Sequence, residues 1–278
     1  MTDTAVFEST TLDTPYALTE EQITRFREDG FIKLKDVLDA ETLAFYSEEI
    51  TRLTFDLNPK KDLKDDEKNT YDRAFIQVGN LWTHSGVARR FSFSQRLARI
   101  ATELLGVSGV RMYHDQALYK EPAGGFTPWH VDQQYWPVST AMTVTAWVPL
   151  QAVPIDMGPL CFGRGSHLKH IARDIEISDE SEKLIAAEIK KNKILEVFEP
   201  YDLGEVSFHY GWTLHRAGGN TTESPRKVHT VIYMDKEMVL GEPRNENQKR
   251  DWQMWSPSSK VGEVMADELN PVLYSREG

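Results

Sequence analysis

Residues 110–137 read VRMYHDQALYKEPAGGFTPWHVDQQYWP, and the fold class is decided here. Val110–Lys120 alternates with a period of two, the spacing of a strand with one face turned to a core. Pro122-Ala123-Gly124-Gly125 breaks the run with turn residues. Pro128 then favours extended backbone at Thr127. The same rhythm returns at Met142–Leu150, Gly204–His209 and Lys227–Asp235, with turns at Asp156-Met157-Gly158-Pro159 and Ala217-Gly218-Gly219-Asn220 between the runs. Many short strands separated by turns predict a sandwich or barrel.

Helices flank this β region. Thr19-Glu20-Glu21-Gln22 reads as a capping box that opens a short helix with Ile23 and Phe26 inward, stopped at Gly30. Phe31–Leu34 is a short strand. Asp39 caps a longer helix in which Leu43, Tyr46, Ile50, Leu53 and Leu57 recur at helical spacing. A further helix runs from Ser94 to Leu105 and ends at Gly106. Residues 178–193 form a charged external helix, capped by Ser178, with a narrow stripe of Leu184, Ile185 and Ile189. Residues 1–17 are a loose arm, 58–70 a charged loop or cavity mouth, and 236–278 a C-terminal extension to an 18–235 core. The length, 278 residues, suits one domain of this kind.

Composition narrows the partners. A net charge of −11 repels phosphate backbones, so nucleic acid is not expected. No apolar run reaches the roughly 18 residues of a membrane helix, and the polar, acidic N-terminus is unlike a secretory signal. The lone cysteine, Cys161, excludes an internal disulfide framework. It sits in an apolar stretch and reads as core rather than reactive thiol. A cytoplasmic, reducing location is the expectation.

The chemistry starts at His130-Val131-Asp132. On an extended segment, side chains two apart share a face, so His130 and Asp132 can grip one ion while Trp129 and Val131 turn away. His215, beside a Gly-rich turn, is the best third ligand, although the chain has eight histidines and the spacing alone does not single it out. His167, His209 and His229 read as structural. Two imidazoles and one carboxylate are the donor set of a non-haem iron(II) site with open positions. A zinc-dependent hydrolase uses the same donor types, and it would need neither oxygen nor a 2-oxo acid.

The order HxD, a long interval, His, and then Arg226 eleven residues on resembles the phytanoyl-CoA dioxygenase family of 2-oxoglutarate oxygenases. The resemblance spans about Glu20 to Asp235. It runs through EEQITRFREDGFIKL (20–34), the 110–137 stretch, TAWVPL (145–150), GPLCFGRGSH (158–167) and GEVSFHYGWTLHRAGGNTTESPR (204–226). It implies a double-stranded β-helix, or jelly roll, with helices packed on one side. It implies iron(II) held by His130, Asp132 and His215, with 2-oxoglutarate and O2 as co-substrates and a small molecule as substrate. Arg226 matches the residue that pairs with the far carboxylate of 2-oxoglutarate. Trp147, Gln116 and the weaker candidate Gln77 match positions beside it. Some members carry a hydroxyl two residues after the second histidine; here that residue is Ala217, which leaves Thr145 or Thr230 to assist, or Arg226 to hold the acid alone. Asp132 retains the carboxylate that related halogenases lack, so the resemblance implies hydroxylation or a related oxidation rather than halogenation. Substrate contacts are expected from Gln134, Tyr135 and Trp136, from the segment Phe75–Trp82, and from the tail near Trp252 and Trp255. The alternative is a non-catalytic metal- or 2-oxoglutarate-binding module on the same scaffold.

Overall fold

The computed structural model describes residues 10–61 and 75–276. In chain order its elements are α1 (Glu20–Asp29), β1 (Phe31–Leu34), α2 (Ala40–Asp56), β2 (Ile76–Gly79), α3 (Gly86–Ser92), α4 (Gln95–Leu105), β3 (Gly109–Tyr119), β4 (Thr127–His130), β5 (Thr143–Pro149), β6 (Leu160–Gly163), α5 (Asp179–Lys191), β7 (Glu196–Phe198), β8 (Val206–Tyr210), β9 (His215–Ala217), β10 (Val228–Asp235), α6 (Glu246–Trp255) and β11 (Val272–Ser275). The large sheet runs β1-β8-β5-β10-β3-β11, with β2 also paired to β3, and the small sheet runs β4-β9-β6-β7. Every strand pair is antiparallel. From β3 to β10 the chain passes back and forth between the sheets, which makes this a double-stranded β-helix.

The period-two pattern separates two kinds of burial. Val144, Ala146 and Val148 of β5 join Val206 and Phe208 of β8 and Val231 and Tyr233 of β10 in a core shared with α1, α2 and α4. The opposite parity, Thr145 and Trp147 of β5, His209 of β8 and Thr230 of β10, faces the space between the sheets. All seven residues of β5 are buried. Its polar parity is therefore an interior face, because water is excluded from both sides of a covered sheet.

Local signals place α1, α2, α4 and α5 as expected, while α3 and α6 were not read from the sequence. At α1, Gln22 N donates to Thr19 Oγ1 at 3.2 Å and Thr19 N donates to Gln22 Oε1 at 2.9 Å. Such a cap contributes about 1 kcal/mol. Gly30 ends the helix in the left-handed conformation, φ 87°. Asp39 caps α2 and Ser94 caps α4. α5 covers the outer side of the small sheet, where Ile185 and Ile189 pack with Trp129, Val131, Cys161 and Leu214. Its buried line is Ser181, Ile185 and Ile189. The expected stripe is corrected at Leu184, which stays 48 % exposed because it is turned about 100° off that line.

Two termini are tied in. The arm expected over 1–17 is pinned across its described part: Leu12 is fully buried, Ser94 Oγ donates to its carbonyl at 3.2 Å, and Arg96 Nε donates to Thr14 O at 2.8 Å. Beyond Asp235, β11 extends the large sheet along β3. The Asn270 amide donates to the carbonyls of Met112, Tyr113 and Trp255 at 3.0–3.2 Å. Of the expected loop 58–70, residues beyond Lys61 lie outside the described residues. No helix among the described residues is long and apolar enough to cross a membrane.

Candidate metal centre and active-site cavity

A cavity of about 1100 Å³ opens between the sheets. β4 and β9 pair with His130 directly opposite His215, which sets two imidazoles side by side with ring centroids 4.1 Å apart. The strand ends at His130. Asp132 is helical, with φ −70° and ψ −43°, at the start of a 3-10 turn over Gln133–Tyr135. The reading of His130 and Asp132 on one extended segment is corrected here. The turn swings the carboxylate back, and Asp132 Oδ1 lies 3.5 Å from both His130 Nε2 and His215 Nε2.

These residues fit a metal ion. One ligand atom from each lies within 4.8 Å of the other two. Donors sharing an ion at about 2.1 Å are about 3 Å apart, so a small inward movement would seat one. His130 Nδ1 donates to Pro128 O at 2.7 Å and His215 Nδ1 donates to Thr213 O at 3.0 Å. Each bond fixes the tautomer and leaves the Nε2 lone pair for a metal. Burial holds His215 down to about 3, reinforced by neighbouring His130 and only partly opposed by Asp132, so its imidazole is neutral. Burial alone would raise the Asp132 carboxyl, but His215, His130 and His209 hold it well below the usual carboxylate range. Trp129 and Val131 point away into the α5 cluster, as expected.

Arg226 lies in the same cavity, 2 % exposed. Its backbone is paired with Lys120 at the end of β3, and its guanidinium carbon stands 5.4 Å from the centre of the Trp147 ring. Nη1 donates to Gly158 O, and Nε has no partner. Burial lowers its pKa to about 10, so it remains charged at neutral pH. Gly158 is left-handed, φ 75°, and a Cβ there would meet Gly218 O at 2.4 Å. The turn that presents its carbonyl to Arg226 therefore requires glycine.

Most other sequence-derived residues converge on this cavity. Gln116, Gln77, Trp147, Thr145, Phe75, Tyr135 and Trp136 all line it. Gln77 Nε2 donates to Gln116 Oε1 at 2.6 Å. The Thr145 hydroxyl donates to Asp132 Oδ2 at 3.4 Å, beside the metal ligands. Thr230 donates to Gln116 O at 3.3 Å. Gln134 is a correction: it is buried at 5 % exposure and is not among the cavity-lining residues. The 3-10 turn carries Tyr135 round to the cavity and leaves Gln134 beneath α6, where its carbonyl accepts from Gln248 Nε2 at 2.9 Å. In the tail, Trp255 lines the cavity, while Trp252 donates its indole N–H to Ser259 O at 3.0 Å.

The lining residues that sequence reasoning missed include His209, His114 and Asp251. His209 Nε2 lies 3.4 Å from Asp132 Oδ2, and neither of its ring nitrogens has a hydrogen-bond partner. The signal was available. His209 shares parity with Ser207 and opposes Thr145 across the β8–β5 pair, while Val206 and Phe208 take the helix side.

The phytanoyl-CoA dioxygenase (PhyH) family matches residues 26–228. An ectoine dioxygenase from Stutzerimonas stutzeri is 24 % identical over 272 residues, covering 89 % of this chain and 86 % of that protein. The epimerase SnoN from nogalamycin biosynthesis, solved with Fe3+, alpha ketoglutarate and nogalamycin RO, is similar at TM-score 0.74 and 26 % identity over 92 % of this chain and 98 % of that one. The non-heme alpha ketoglutarate dependent carbocyclase SnoK is similar at TM-score 0.73 and 25 % identity, over 94 % of this chain and all (100 %) of that one. With the family match covering most of the sequence and the ligand set assembled at one cavity, the chain belongs to the phytanoyl-CoA dioxygenase (PhyH) family.

Proposed function

We propose that this protein hydroxylates a C–H bond of a small organic molecule, with one atom of O2 entering the product and the other entering succinate as 2-oxoglutarate loses CO2. The class rests on family membership: the chain is a 2-oxoglutarate-dependent dioxygenase that uses iron. One observation carries the reading. The cross-strand pair His130 and His215, the carboxylate of Asp132 and the buried guanidinium of Arg226 all open onto one cavity.

Bound iron(II) and 2-oxoglutarate supply oxygen activation and the oxidising power. The chain's own residues supply geometry. His130, Asp132 and His215 would hold the metal on one face, their orientation set by Pro128 O, Thr213 O and the Thr145 hydroxyl. Arg226 would receive the far carboxylate of 2-oxoglutarate, since a charged guanidinium binds a carboxylate through two parallel hydrogen bonds. Trp147 flanks that site and keeps it dry, which strengthens the ion pair. Gln116 and Gln77 offer amides to polar atoms of either ligand. Phe75, Tyr135 and Trp136 would enclose the substrate. We place the protein in the cytoplasm as one oxygenase domain, in keeping with its acidic charge and single buried cysteine.

The test is succinate formation. Protein purified without oxygen, then given iron(II), 2-oxoglutarate, oxygen and metabolite pools, should release succinate faster with the right pool. No 2-oxoglutarate consumption under any pool would contradict the reading. SnoN is an epimerase and SnoK a carbocyclase, which favours a second outcome: removal of the same hydrogen followed by inversion or ring closure. Labelled oxygen separates the two, because only hydroxylation carries the label into product.

A further inference from the structure

The cavity has a second polar pole. α6 presents Asp251 and Trp255, four residues apart and so on one helix face, and both line the cavity. Tyr113 OH donates to Asp251 Oδ2 at 3.1 Å. Among the described residues no lysine or arginine lies within ion-pair distance of this carboxylate. Trp255 stacks on His114, centroids 4.2 Å apart and planes 21° apart. His114 is 4 % exposed, and its Nδ1 has no hydrogen-bond partner. Gly79 makes the space for this stack, because a Cβ there would stand 2.4 Å from the edge of the Trp255 ring. Arg226 belongs to the opposite pole, beside Trp147 and Tyr201.

Anchoring α6 to β3 needs only an acceptor for the Tyr113 hydroxyl, and an asparagine would provide one without burying a charge. A sequestered carboxylate with no ion-pair partner at contact distance is unfavourable. Burial pushes the Asp251 carboxyl up to about 7, with Tyr113, Trp255 and the charge of neighbouring Arg250 only partly offsetting it. A paired positive charge has room to arrive from the cavity, which Trp255 lines beside Asp251, and an indole attracts a cation.

We infer that Asp251, flanked by Trp255 and His114, is a specificity-determining residue that receives a protonated nitrogen of the substrate, an amine, amidinium or guanidinium group. This rests on the reading of the cavity as the active site. The substrate would then lie between two charged poles, its cationic end at Asp251 and its reacting carbon near His130, Asp132 and His215.

Full-length protein loaded anaerobically with iron(II) and 2-oxoglutarate should be titrated with benzamidine and with its neutral isostere benzamide, read by tryptophan fluorescence and ligand-observed NMR. Benzamidine should bind at least tenfold tighter than benzamide. Asp251→Asn should bring the two within about twofold, and Asp251→Glu, which keeps the charge, should retain the preference. Equal binding of the pair to the unaltered protein overturns the inference whether or not either variant folds. An Asp251→Asn variant that still prefers the cation does the same. Calorimetric binding of 2-oxoglutarate to the same iron-loaded sample is the separate arm. Its failure strikes at the proposed function, while a cation preference of zero beside normal 2-oxoglutarate binding strikes only at Asp251.

Discussion

Replacing Arg226 by glutamine should remove the protein's response to 2-oxoglutarate without weakening the empty fold. The guanidinium is almost fully buried, with one donor on Gly158 O and Nε unpartnered. Its pKa falls from 12.5 to about 10 through burial, which at ~1.4 kcal/mol per unit is roughly 3 kcal/mol held against the charged form. Glutamine loses that burden, and its amide can still donate to the Gly158 carbonyl. The empty variant should therefore melt within about 2 °C of the parent or above it, given the ~2–4 °C per kcal/mol of a chain this size. Ligand binding is the opposite case. A buried carboxylate left without its partner costs about 3–5 kcal/mol, or roughly 100- to 3,000-fold in Kd. The assay is calorimetry with thermal melting on anaerobic, iron(II)-loaded protein. At 100 times Kd the parent gains ~2.7 kcal/mol from ligand, a rise of roughly 5–10 °C, and the variant at the same concentration should rise by less than about 1 °C. Affinity preserved within about threefold would refute the seating of 2-oxoglutarate on Arg226. A collapse of the empty variant by more than about 10 °C would show that the guanidinium is structural.

Other outcomes follow from the same geometry. His130→Ala or His215→Ala should each abolish stoichiometric iron binding, checked by metal analysis after desalting; a full complement of iron in either variant would contradict its ligand role. Gly158→Ala should lower stability by about 3 kcal/mol, because a left-handed residue gains a Cβ against the Gly218 carbonyl oxygen; an unchanged denaturation midpoint would show that the turn can relax. Metabolite extracts split on a cation-exchange resin should carry the succinate-stimulating activity in the retained fraction, whereas stimulation confined to the flow-through argues against a cationic substrate.

The legible parts of the fold were those written in local chemistry. Thr19 with Gln22, Gly30, Asp39, Ser94 and Gly106 marked helix ends because a cap is a bond between near neighbours. In the large sheet β1, β3, β5, β8 and β10 were legible because parity tracks the two sides of a sheet, whereas β2 and β11 were not read as strands. The metal ligands were legible through HxD and the resemblance that added His215 and Arg226. What escaped depended on where the chain turns and what it meets. Asp132 reaches its partners through a 3-10 turn, which sequence alternation does not signal. That same turn carries Gln134 away from the cavity and Tyr135 into it. His209 read as structural because nothing in its spacing marked it as a ligand, yet its strand face looks into the cavity. Asp251 lies on a polar helix far along the chain, and long-range contacts made by β11, Asn270 and the Tyr113 hydroxyl fasten that segment against β3.

The central claim is that His130, Asp132 and His215 form one iron site sharing a cavity with a 2-oxoglutarate pocket at Arg226. An anaerobic absorption titration reads it directly, with iron(II) added first and 2-oxoglutarate second. One iron per chain, with a visible charge-transfer band that needs both additions and disappears in His215→Ala, is the predicted result. A spectrum that stays flat after both additions, or a band that survives His215→Ala unchanged, would contradict it.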